Sequence, residues 1–169
     1  MNYKDIEDNA YKMRTKKYEA DLYAKLNAEN PPKKMNVLVV NDEERKRSYI
    51  HRALEKFEAI QYIDAENGND AKQFCEDNDI AIIVMDMSFP WEANGCEEGS
   101  SGVRLVKELQ TICEKQGKTM PTLIVYSTML FESAMKKAGE SLIESFYGQT
   151  YFQGGLEDLL KDFFNQKWN

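Results

Sequence analysis

The sequence predicts an α/β fold: a doubly wound, five-stranded parallel sheet preceded by an N-terminal helical extension. Three observations carry this. Short apolar runs alternate with amphipathic stretches in the order βαβαβαβαβα. The most apolar run, IAIIVM (80–85), is bounded by charge, as suits a strand buried on both faces. The 169 residues are 42% apolar and 30% charged, enough for one core plus an extension.

Residues 3–26 read as a helix, because no Pro or Gly interrupts them and Tyr3, Ile6, Ala10 and Met13 recur at helical spacing. Tyr11, Tyr18, Leu22 and Leu26 continue the stripe, which would either pair two chains as a homodimer or fold back on the domain. The extension is placed at 1–30. The Pro-Pro pair in NAENPPKK (27–34) marks a boundary, giving a linker at 31–35 and a domain over 36–169. VLVV (37–40) is the first strand, and Ile50, Ala53, Leu54 and Phe57 share the face of the helix that follows. IQYI (60–63) is the second strand; Ala71, Phe74 and Cys75 mark the second helix. After IAIIVM comes a loop over 88–101 rich in Gly, Ser and Glu, then a helix on Leu105, Val106, Leu109, Ile112 and Cys113. TLIVY (122–126) is the fourth strand, and Leu130, Ala134, Met135 and Ala138 make another helical stripe. TYF (150–152) is a short fifth strand, and Leu156, Leu159, Leu160, Phe163, Phe164 and Trp168 define the last helix.

Composition excludes several function classes. A net charge of −7 disfavours direct nucleic-acid binding, which needs clustered Lys and Arg. Three cysteines without a C-x-x-C pair, and one histidine, give no zinc pattern and suit free thiols used in half-buried packing. The N-terminus lacks the apolar core of a signal peptide, and no apolar run approaches the roughly 20 residues of a membrane span. A soluble, cytoplasmic protein is expected. Glu43 and Glu44 suit a helix start, and His51 a helix surface.

In open parallel sheets, functional groups gather beyond the carboxyl ends of the strands. Here those ends carry Asn41-Asp42-Glu43, Asp86 and Ser127-Thr128. Asp42 and Asp86 could share a hard divalent cation such as Mg²⁺, with backbone and water oxygens completing its shell. A carboxylate so placed can act as a nucleophile and form an acyl phosphate, with the Ser127 hydroxyl on a phosphoryl oxygen.

Five segments occur in order: VLVVNDEE (37–44), AENGNDA (65–71), IIVMDMSFP (82–90), SGVRLVKEL (101–109) and PTLIVYST (121–128). Together they resemble the receiver domains of two-component response regulators, a flavodoxin-like fold, over roughly residues 35–169. The resemblance implies Asp86 as phosphoacceptor, Ser127 as phosphoryl contact, and Asp42, Asp86 and the Ser88 backbone oxygen as metal ligands. Asn41 stands where the family usually has an acid; it can offer the metal an amide oxygen but no charge. The family's lysine at the end of its fifth strand aligns with Gln153, which brings no positive charge. Its switch aromatic aligns with Thr150. The segment WEANGCEEGSS (91–101) lengthens the loop after Asp86 and brings Glu92, Glu97 and Glu98 near the pocket. These departures point to an atypical member: a pseudo-receiver without an attached output domain. It would act through protein contacts with a sensor kinase or a downstream effector, on the face of the fourth helix, fifth strand and last helix. The alternative is a functional single-domain regulator that accepts phosphate on Asp86 with Mg²⁺; self-phosphorylation would then be its only chemistry. A lesser alternative is an Asp-nucleophile phosphohydrolase, although Ser88 stands where such enzymes need a second acid.

Overall fold

The structure, a computed structural model, describes residues 33–127 and 146–168. The chain divides into two units, Met1–Lys33 and Lys34–Asn169. The N-terminal helix at 3–26, Thr128, the stripe at Leu130–Ala138 written in the sequence, and the side chain of Trp168 lie outside the described residues.

The second unit is the expected α/β sandwich of helices on a parallel sheet. Its elements are β1 (Met35–Val40), α1 (Glu44–Leu54), β2 (Ile60–Ala65), α2 (Gly68–Asp77), β3 (Ile82–Met85), β4 (Phe89–Pro90), β5 (Glu97–Glu98), α3 (Ser101–Gln116), β6 (Thr122–Tyr126), β7 (Phe146–Thr150) and α4 (Gln153–Trp168). Strands pair in the order β2-β1-β3-β6-β7, each pair parallel. Side chains alternate across a strand, and in β1 and β3 both faces are apolar. Leu38, Val40, Ile83 and Met85 therefore face Leu105, Val106 and Leu109 of α3 and Ala71 and Cys75 of α2. Val37, Val39, Ile82 and Val84 face Ile50, Ala53 and Leu54 of α1 and Leu156 and Leu160 of α4.

Local signals fix the helix ends. At α2, the Asn67 side chain accepts from the Asp70 N–H at 2.9 Å, a standard N-cap. At the end of α3, Gly117 takes φ +63°, and the Lys118 N–H reaches back to the Cys113 carbonyl at 2.9 Å. That closure needs a left-handed residue, which glycine supplies without strain. The α1 helix begins with Glu44 in its first turn and ends with His51 and Arg52 in its last, both matching the helix dipole.

Three expectations need correction. The fifth sheet strand is β7, at Phe146–Thr150, and not TYF (150–152). Thr150 is its last residue; its hydroxyl bonds to Phe152, turning the chain into α4 and leaving Tyr151 and Phe152 exposed. The loop at 88–101 contains an antiparallel ribbon, β4 with β5. Of the cysteines, Cys75 and Cys113 are buried, and burial pushes the Cys75 thiol up to about 12, but Cys96 is exposed.

The ribbon is anchored from both sides. Phe89 is fully buried in the core around α2 and α3. The Ser101 hydroxyl donates to the carbonyls of Phe89 and Glu98. Trp91 covers Gly68 at the start of α2, and Arg104 stacks on its ring at 3.8 Å. A Cβ at Gly68 would lie 2.3 Å from Trp91 Cε3. Gly68→Ala is therefore expected to cost about 1–3 kcal/mol by overpacking, read as a lower midpoint in urea.

Candidate functional site at the sheet rim

Because β1, β3 and β6 are neighbours, the residues just after them share one rim. Asp86 follows β3 and is only 4% exposed. Its Oδ1 accepts from the N–H of Met87 at 2.7 Å, the N–H of Ser88 at 3.4 Å and the hydroxyl of Ser127 at 2.7 Å. Its Oδ2 accepts from the Asn41 amide at 3.3 Å and from the Lys46 ammonium at 3.3 Å. A buried carboxylate must be hydrogen-bonded and charge-compensated, and this one is both.

Two residues of α1 build the other half. Lys46 lies in the first turn of the helix and reaches Glu43 Oε1 at 2.6 Å as well as Asp86. Burial alone would depress its pKa, but the hydrogen bonds and charges of Glu43 and Asp86 outweigh that and hold it above the ordinary lysine value. Arg47 is buried. Its Nη1 donates to the Asn41 carbonyl at 2.7 Å and its Nη2 to Glu66 at 2.7 Å. The Asn41 side chain accepts from the Glu43 N–H at 2.9 Å, a local turn that also starts the helix. Asn41 thus links β1, α1 and Asp86.

Asp42 is half-buried. Its carboxyl is raised above the usual value by burial; a backbone hydrogen bond opposes this, and the charges of Glu97, Glu43 and Asp86 add to it. Glu97 belongs to the ribbon, so the lengthened loop does feed negative charge toward the pocket. A carboxyl with a raised folded pKa binds its proton more tightly folded than unfolded. That stabilisation is complete below the ordinary Asp value and is lost as pH rises through the raised one. Asp42→Asn is therefore expected to raise the thermal midpoint at neutral pH, and the gain should vanish in acid, as followed by circular dichroism.

The remaining sequence candidates fall elsewhere or only at the edge. Gln153, expected at the end of the fifth strand, instead opens α4, three residues past the end of β7, and donates to Glu157 at 3.3 Å, so its amide is not among Asp86's hydrogen bonds. The cation that meets Asp86 is Lys46, which composition and motif reading did not single out. Its signal was a Lys three residues after Glu43, on the side of α1 that faces the rim. Ser88 donates its hydroxyl to the Glu98 carbonyl at 3.3 Å. His51 is half-buried, bonded to Asp64 at 2.8 Å and stacked on Tyr62. Beside the rim, Lys46, Tyr49, Tyr126, Ser127, Tyr151 and Phe152 line a cavity of about 340 Å³ together with Gln153.

Asp42, Asp86 and the Ser88 carbonyl are hard oxygen donors of the kind Mg²⁺ takes. The fit is incomplete, since Asp86 Oδ2 already faces an ammonium. Among the described residues, no three His, Cys, Asp or Glu side chains are grouped so as to hold a metal.

No family model matches the chain. Response regulator UvrY of Escherichia coli (strain K12) is 40% identical over 57 residues, covering 33% of this chain and 26% of that protein. The match thus spans about a quarter of the curated relative's length. The non-phosphorylated receiver domain of the stress response regulator RcsB from Escherichia coli superposes with a TM-score of 0.54 at 22% identity, over 76% of this chain and 88% of that one. A signal receiver domain of a two-component histidine kinase from Clostridium thermocellum gives 0.58 at 17%, over 76% and 95%. The receiver domain of Ssk1, crystallised with the histidine phosphotransfer protein Ypd1 from Saccharomyces cerevisiae, is in a structure that gives 0.53 at 19%, over 69% and 77%. At these identities the structural likeness is one of fold.

Proposed function

Because the described part of residues 34–169 has the receiver fold, we propose that it is a response-regulator receiver domain working as a pseudo-receiver, a signalling module acting through protein contacts with Asp86 engaged internally. The observation that carries this is the loading of Asp86. Five donors, one of them an ammonium, satisfy both oxygens, and Gln153, three residues past the end of β7, turns to Glu157. Receiver domains are signalling modules and not turnover enzymes, and here the residue two after Asp86 is Ser88, with no second acid for a hydrolase. The partner would be a kinase or phosphotransfer protein, by analogy with the Ssk1–Ypd1 pair, or a downstream effector. Tyr151 and Phe152, 68% and 53% exposed beside the aromatic cavity, are a natural contact on this reading.

A second reading, phosphotransfer to Asp86 with Mg²⁺, draws on the Ser127 hydroxyl at 2.7 Å and on the half-buried Asp42 carboxyl with the acidic Glu97, Glu43 and Asp86 around it. Intact-mass measurement after incubation with Mg²⁺ and acetyl phosphate separates the two. The pseudo-receiver gains no phosphoryl group. An adduct on the wild type that is missing from Asp86→Asn would establish the second reading instead.

A further inference from the structure

We infer that Lys46 is a built-in counter-ion that competes with a divalent cation for Asp86, and so sets how tightly this rim can take a metal. The inference rests on Asp86 being the functional centre, but not on whether it is phosphorylated. Lys46 Nζ sits 3.3 Å from Asp86 Oδ2 and 2.6 Å from Glu43 Oε1, bridging two carboxylates as a metal ion would. Its position is set by a rigid mount. The next residue, Arg47, clamps the Asn41 carbonyl at 2.7 Å, and the Asn41 amide completes the contact with the same Asp86 oxygen. The first turn of α1 therefore cannot drift from the end of β1 without breaking buried hydrogen bonds.

The same arrangement explains why one cation is not enough. Glu43, Asp86 and Glu97 all lie close enough to act on Asp42, but of these four carboxylates Lys46 contacts only Glu43 and Asp86. A divalent ion would suit Asp42, yet at Asp86 it would have to share the carboxylate with the Lys46 ammonium, 3.3 Å from Oδ2. Like charges sharing one carboxylate in a partly buried site repel strongly. Removing the ammonium while keeping an apolar stem should leave a carboxylate pair that prefers Mg²⁺ or Mn²⁺.

The test is calorimetric titration of Mn²⁺ and of Mg²⁺ into the full chain, as wild type, Lys46→Met, Lys46→Gln and Lys46→Arg, each checked for fold by circular dichroism. Lys46→Met and Lys46→Gln are expected to bind the ion on the order of tenfold more tightly, and Lys46→Arg no more tightly than wild type. Adding Asp86→Asn to Lys46→Met should abolish the gain. Unchanged affinity in both neutral variants would overturn the inference, as would a gain that survives Asp86→Asn. Two neutral variants guard against one failing to fold. A wild type that takes phosphate from acetyl phosphate would sink the pseudo-receiver reading but leave this result to be judged on its own.

Discussion

Phe89→Ala should lower the unfolding free energy by about 3–5 kcal/mol, one of the two largest effects expected of a single change in this domain. Phe89 is fully buried and packs with Leu105, Val106 and Leu109 of α3 and Met85 of β3. It is also three residues from Asp86, in the first strand of the ribbon. Truncation leaves a ring-sized void where α3 cannot close in, because α3 is tied to the ribbon by Ser101 and to Met87 by the Gly102 N–H at 3.1 Å. The loss should therefore appear twice. The urea midpoint falls, and hydrogen exchange of residues 97–104 speeds up before that of β1. A loss of unfolding free energy well under about 1 kcal/mol would mean that the ribbon is not a structural part of the core.

The second large effect is expected at Arg47→Met, about 3 kcal/mol. Arg47 has two charged hydrogen bonds of different worth, beside a longer ion pair with the half-buried Asp64 at 3.8 Å. Glu66 is mostly exposed, so its pair is screened and contributes little. The Asn41 carbonyl is buried, and without Arg47 it loses a charge-assisted partner at 2.7 Å. Met fills most of the volume, so the change isolates the polar contribution. A double-mutant cycle with Glu66→Gln should give a coupling below about 1 kcal/mol. A coupling near the full effect would place the stabilisation at Glu66 and remove the argument that Arg47 positions Asn41.

Much of this was legible in the sequence, for identifiable reasons. In β1 and β3 apolar residues run unbroken between charges, so both strands and their burial are plain from VLVV and IIVM. The strand-end residues were equally legible, because in a parallel sheet the order of strands alone brings neighbouring ends together. The edge strand β7 was not. FYGQT holds a glycine, is half-buried and carries no clean alternation, and the more apolar pair Tyr151-Phe152 next to it drew the reading two residues too far. Gly148 is there because Leu159 of α4 crosses it: a Cβ would lie 2.7 Å from Leu159 Cδ2, a contact that no local pattern encodes. The ribbon was hidden for a related reason. Two-residue strands have no period, and Gly68 under Trp91 is a long-range fit. Lys46 was missed because a lysine on an amphipathic helix usually reads as solvated surface. Only the geometry turns it toward Asp86.

The indole of Trp91, pressed on Gly68 and roofed by the Arg104 guanidinium, gives the domain an optical reporter of its own. An indole shielded from water emits to the blue of a solvated one, and a stacked cation alters its yield. With Trp168 changed to Phe, the emission of the remaining indole would follow the ribbon alone. Any event at the rim that shifts Glu97 or Phe89 would then be visible without a label, in real time and at low concentration.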